Sequence, residues 1–177
     1  MTENLEIIAR AKKGDSEAFR QLLEQHYSMI YRVSYRFTGH VQDAEDVTQE
    51  VCMALVDKLS SFKGKSNFTT WLYRVVVNQC RDFHKHRRSS RSRDLAYSEF
   101  EKLGAADTRE DQKRTAWLYR SIDALDSPLK ETALLVVAEE LTHAEAAKIL
   151  DCKEATISWR MHEVRQFLAQ AMDSYHA

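Results

Sequence analysis

A chain of 177 residues, 44% hydrophobic and 30% charged, carries enough apolar side chains for one core or two small ones, which excludes a disordered chain. Its 26 Lys and Arg nearly cancel 27 Asp and Glu, so any preference for a charged partner must lie in local asymmetry rather than in the total. The longest run free of Asp, Glu, Lys and Arg is eight residues, Ser66–Tyr73, whereas a helix needs about 20 apolar residues to span a bilayer, so no membrane insertion is expected.

The start, Met1-Thr-Glu-Asn-Leu-Glu6, has neither the basic opening nor the apolar centre of a secretory signal, and a cytoplasmic location is expected. Four Gly and one Pro leave few turns, and no window shows sustained β-branched alternation, so the expected class is all-α. The first long helix opens at Gly14-Asp15-Ser16-Glu17, where Asp15 or Ser16 can cap the free amides. It runs through Phe19, Leu22, Leu23, Tyr27, Ile30 and Val33 and stops at Gly39. A second spans about Val41 to Leu59, with Ala44, Val47, Val51, Ala54 and Leu55 on one face and Asp43, Asp46, Gln49 and Glu50 on another.

A loop, Ser60 to Asn67, leads into a third helix from Phe68 to about Arg88, whose far end is basic. From Ser89 to about Asp111 periodicity is lost, and the stretch reads as a linker. The expected organisation is therefore two small helical domains, 1–88 and 112–177, joined by a flexible linker, 89–111. In the second, helices are expected over about 112–125 and from Pro128 to Glu140. Thr142-His-Ala-Glu145 is a capping box opening a short helix to Leu150, Asp151-Cys152 makes the turn, and a last helix runs from about Lys153 to Met172. Short helix, tight turn and longer helix make a helix-turn-helix pattern, a duplex-DNA reader or a plain three-helix bundle.

Charge is unevenly placed. Between Phe37 and Asp57 stand five acids and no Lys or Arg, whereas Arg81, Lys85, Arg87, Arg88, Arg91 and Arg93 face the single acid Asp82. Aromatic and basic residues interleave from Phe62 to Arg88, a mixture that suits single-stranded DNA, although the rings alone also fit a core. The three cysteines, Cys52, Cys80 and Cys152, are odd in number and widely spaced, which fits reduced thiols. Cys80-x3-His84-x-His86 lacks a fourth ligand and a common face, so it reads as a basic helix end rather than a metal site. No nucleophile triad or phosphate-cradling loop stands out, and neither an enzyme nor a cofactor is expected.

Asp43-Ala-Glu-Asp-Val-Thr-Gln-Glu-Val51, Phe62-Lys-Gly-Lys-Ser-Asn-Phe68 and Thr70-Trp-Leu-Tyr-Arg-Val-Val-Val-Asn78, in that order, closely resemble bacterial sigma factors of the extracytoplasmic-function (ECF) group. Gly14–Arg88 is similar to the group's region 2 and about Thr115–Met172 to its region 4. The resemblance implies that Asp43, Asp46, Gln49 and Glu50 dock on the beta-prime coiled coil of core RNA polymerase. It implies that the loop around Lys63, Ser66 and Phe68 captures a flipped base of the minus-ten element, with Asn78, Arg81, Lys85, Arg87 and Arg88 holding the melted non-template strand. Thr156, Ser158, Trp159, Arg160 and His162 would read the minus-thirty-five duplex in the major groove, and an anti-sigma factor would hold the protein inactive.

Five positions depart from the group's habit. Ser158-Trp159-Arg160 stands where a basic residue and Ser commonly precede the Arg, and Glu163 where a basic residue is usual. Lys65 replaces a frequent acid, and Asp151 replaces the usual turn Gly, which Asp can do in a left-handed conformation. Two other readings fit part of the chain: a stand-alone helix-turn-helix regulator, for which the acidic face has no use, and a sigma mimic that titrates an anti-sigma factor, for which the basic run has none.

Overall fold

The computed structural model of the protein describes residues 5–87 and 109–176. The described residues are helical and contain no strand, as the scarcity of Gly and Pro leads one to expect. The chain forms two compact units that divide between Asp94 and Leu95.

The first unit holds α1 (Leu5–Lys12), α2 (Ser16–Thr38), α3 (Val41–Lys58) and α4 (Phe68–Arg87), with a single 3-10 turn, Leu59–Ser61, after α3. α1 was not foreseen: eight residues give too few turns for a stripe to show, yet Ile7, Ile8 and Ala11 bury one face of it. α2 starts where the cap signal places it, because Asp15 stays extended and its carboxylate accepts from the Glu17 and Ala18 amides at 3.1 and 3.0 Å. It ends at Gly39, whose φ of 74° lets its amide reach the Tyr35 carbonyl. α2 packs against α1, α3 and α4, and the core is closed by Ile30, Val33, Val47, Val51, Leu72 and Val76.

The second unit holds α5 (Arg109–Asp123), α6 (Ser127–Ala133), α7 (His143–Leu150) and α8 (Glu154–His176). The helix α5 begins inside the stretch read as linker; the rest of that stretch, 89–108, lies outside the described residues. The helix expected from Pro128 to Glu140 is α-helical only to Ala133 and then widens into a π turn, Leu134–Ala138, with the Glu139 amide donating to the Leu134 carbonyl at 3.0 Å. Residues 131–135, the end of α6 and the start of this turn, are all buried, whereas Val137 within the turn is exposed, a pattern that a period of 3.6 with one apolar stripe does not anticipate. Thr142 and Glu145 make the reciprocal capping box at the start of α7. Asp151 turns the chain in the left-handed conformation, φ 55° and ψ 49°. α8 lays Ile157, Met161 and Val164 against the small core that Ala146, Ile149 and Leu134 complete.

Candidate functional site

α3 carries no Lys or Arg before Lys58, and Glu45, Asp46, Gln49 and Glu50 stand exposed along it. Asp43 departs from the expectation that it shares this surface: it is buried in the first turn of α3. The physical reason was available in the spacing, because Asp43 lies four residues before Val47 and so borders the apolar stripe, and a carboxylate is favoured at a helix N-terminus. Glu50 accepts a hydrogen bond from Gln79 Nε2 of α4 at 2.6 Å. The same exposed side of α3 continues into two apolar residues, Met53 and Val56, which are 66% and 64% exposed. Between them and the acids Cys52 is half-buried, and desolvation raises its thiol pKa, which keeps it protonated.

The loop between the 3-10 turn and α4 is held at both roots. Phe62 is buried and packs edge-on to Phe68 at 5.4 Å and tilted against Trp71 at 5.5 Å. The Asn67 carbonyl accepts from the Trp71 amide at 3.1 Å, opening α4. Between these roots Lys63, Gly64, Lys65 and Asn67 are exposed, Ser66 is half-exposed, and Gly64 has a φ of 67°. Phe68 departs from its expected place beside DNA: it is buried, within 5.2 Å of the His26 ring and 5.4 Å of Trp71, and serves the core. Phe62 and Phe68 thus lie in the core, the place that the rings alone also fit.

Along α4, Asn78 is exposed and accepts from Arg81 at 3.3 Å, and exposed Lys85 pairs with Asp82 at 3.4 Å. Arg87 is the last residue of α4, and Arg88 lies outside the described residues. Cys80 is buried, and His84 Nε2 donates to the Phe37 carbonyl at 3.0 Å, so the Cys-x3-His pair is spoken for by packing and by backbone. Among the described residues no group of His, Cys, Asp and Glu is gathered to hold a metal ion.

In the second unit α8 presents Ser158, Trp159 and His162 to solvent, with Thr156 and Arg160 partly covered. Trp159 is 60% exposed, an unusual place for the largest side chain. Ser158 Oγ meets His143 Nδ1, at the start of α7, at 3.0 Å, a link across the turn that sequence spacing gave no sign of. Gln166 donates to His162 Nε2 at 3.0 Å. Hydrogen bonds from the Thr142 hydroxyl and amide hold Glu145 below its ordinary pKa and so keep the box charged.

The first unit thus carries an acidic face on α3 and an exposed basic loop between buried aromatic roots, and the second a short helix, a left-handed turn and a longer helix. Residues 22–90 match the sigma-70 region 2 family. The chain is similar over nearly its whole length to curated sigma factors: 26% identical to RNA polymerase sigma-H factor of Pseudomonas aeruginosa, covering 96% of this chain and 94% of that one. It is 28% identical to the ECF RNA polymerase sigma-E factor of Haemophilus influenzae (92% and 91% covered) and 26% to ECF sigma factor SigW of Bacillus subtilis (93% and 94%). Two solved structures share the fold: CnrH in complex with the cytosolic domain of CnrY, with a TM-score of 0.69, 24% identity and 95% and 96% of the two chains covered, and the sigma factor RpoE of Bartonella quintana with the anti-sigma factor NepR, with 0.64, 21%, and 88% and 96%. The chain thus carries a sigma-70 region 2 match over residues 22–90 and is similar along nearly its whole length to ECF sigma factors, which are transcription initiation factors.

Proposed function

We propose that this sigma factor docks on core RNA polymerase through the exposed face of α3 and brings two DNA-reading surfaces to a promoter. Asp46, Gln49 and Glu50 meet a basic coiled coil of the polymerase, and charge complementarity there favours fast and selective association. Lys63, Ser66 and their loop take a flipped minus-ten base, while Asn78, Arg81, Lys85, Arg87 and Arg88 hold the melted non-template strand. Thr156, Ser158, Trp159, Arg160 and His162 read the minus-thirty-five duplex from a helix-turn-helix domain, 112–177, tethered to the first domain, 1–88, by a linker, 89–111. The bond-making chemistry belongs to the polymerase, so the factor itself is not an enzyme, and it works in the cytoplasm. An anti-sigma factor is the natural antagonist, and exposed Met53, Val56, Val137 and Trp159 supply apolar anchors for one.

The observation that carries this reading is the division of charge within one unit: an α3 face free of cations before Lys58, and an α4 end running into the basic stretch 81–93. The test is in vitro transcription by purified protein with sigma-free core polymerase on a promoter library, wild type against Asp46→Arg. Discrete start sites that vanish in the variant support the reading. Absence of initiation with active core sinks it.

A further inference from the structure

We propose that Lys12 is a positioning residue for minus-ten recognition, holding the root of the reading loop from the end of the neighbouring helix α1. The inference rests on the reading that this loop captures the minus-ten base. Lys12 Nζ donates to the Phe62 carbonyl at 2.6 Å across fifty positions of sequence.

The donor end of this contact is fixed. The residues Ile7, Ile8 and Ala11 bury α1 against α2, and just beyond α1 Gly14 reverses the chain at a φ of 89°. Arg10 then closes the reversal, its Nε donating to Asp15 Oδ2 at 2.8 Å while Asp15 Oδ1 caps α2. The last residue of α1 therefore projects from a helix tied at both its apolar face and its end.

The acceptor end is the last anchored point before the exposed tip. The ring of Phe62 is clamped by Phe68 and Trp71, and its amide donates to the Leu59 carbonyl at 3.1 Å. Its carbonyl belongs to the peptide plane that it shares with the Lys63 amide. Holding that oxygen with a cation, a charge-assisted bond, fixes the plane's rotation and so the direction in which Lys63 and Gly64 leave the core. Without it the plane is free to turn, and the left-handed turn at Gly64 swings the tip with it. The docking face of α3 is untouched by this change, since none of Asp46, Gln49 or Glu50 is a partner of Lys12.

The test uses the full-length protein with core polymerase and a set of promoters differing by single bases in the minus-ten element. Lys12→Met keeps the straight apolar stem and removes the donor; Lys12→Arg restores a cationic donor; Lys63→Ala and Ser66→Ala report on the loop itself. Lys12→Met is expected to compress the ratio between the best and worst minus-ten sequences by about fivefold, with core affinity held within about twofold, and Lys12→Arg to recover most of it. An unchanged ratio in Lys12→Met, while the loop variants alter theirs, overturns the role of Lys12. Equal loss of core affinity and of initiation on every promoter also overturns it, since that is the signature of a damaged domain. If the loop variants leave the ratio unchanged as well, the base-capture reading falls, and the inference with it.

Discussion

Gln79 of α4 donates to the carboxylate of Glu50 on α3 at 2.6 Å, so one acid of the proposed polymerase-binding face is aimed by a neighbouring helix. Asp46, one turn earlier, is exposed, and Asp43, one turn before that, is buried. Three acids that share a periodicity thus live in three environments, and substitution should separate them.

Asp46→Arg should weaken core polymerase binding by at least about tenfold and leave thermal stability nearly unchanged, within about 0.5 kcal/mol as for most surface sites. Asp43→Ala should do the reverse: a loss of about 2 kcal/mol in folding stability, because a buried polar group has partners to orphan, with normal affinity in the fraction that folds. Binding to immobilised core polymerase beside thermal unfolding of each variant checks both. Equal binding loss in the two would remove the distinction.

Phe68→Ala should destabilise the first unit by about 3–5 kcal/mol, the range for emptying an aromatic site in a core. Its promoter defect would then be a folding defect. Lys63→Ala and Ser66→Ala, on the exposed loop, should change promoter choice at unchanged melting temperature. Denaturant unfolding of the three, set beside initiation assays, distinguishes the two origins.

Trp159→Ala should leave stability within about 0.5 kcal/mol, because the indole is 60% exposed. Initiation from promoters that depend on the minus-thirty-five element should drop by about tenfold, the scale of one lost base-pair contact. Footprinting and initiation on templates with and without that element decide it; an unaffected minus-thirty-five dependence would remove Trp159 from the reading face.

Acid should loosen the first unit through Asp15. The Ala18 amide, first, and the Arg10 guanidinium hold its carboxyl below the ordinary carboxylate value. A depressed folded-state value means that the cap's contribution is fully present above the unfolded pKa, near 4, and is lost as pH falls below that through the folded value. Asp15→Asn keeps a competent cap without a titrating group, so its melting temperature should fall less than the wild type's between pH 5 and pH 2.5, on the order of these carboxylate values. A wild-type profile identical to that of Asp15→Asn would show that acid acts elsewhere.

The helix boundaries most legible in the sequence were those written in local chemistry. Asp15, Gly39, the Thr142–Glu145 box and the left-handed Asp151 each act within four residues of themselves, and each stands where spacing put it. What spacing could not supply was anything joining distant positions: Lys12 with Phe62, Gln79 with Glu50, His143 with Ser158. Asp43 and Phe68 were set among surface residues by the family resemblance, whereas spacing itself points inward: Asp43 lies four residues before Val47 of the apolar stripe, and the Phe68 ring packs on Phe62 and Trp71 in the core.

Gly64 turns the tip of the loop at a φ of 67°, and a β-carbon added there would meet nothing within 4 Å. The position is therefore restricted by backbone angle and not by crowding, so Asn or Asp, the side chains that best tolerate that angle, could replace it at small cost. Lineages of this factor can thus gain or lose a charge or an amide at the tip by single mutations while the scaffold stays intact. If this tip takes the minus-ten base as proposed, promoter preference is an inexpensive trait to evolve, free to diverge between paralogues while the α3 face is kept.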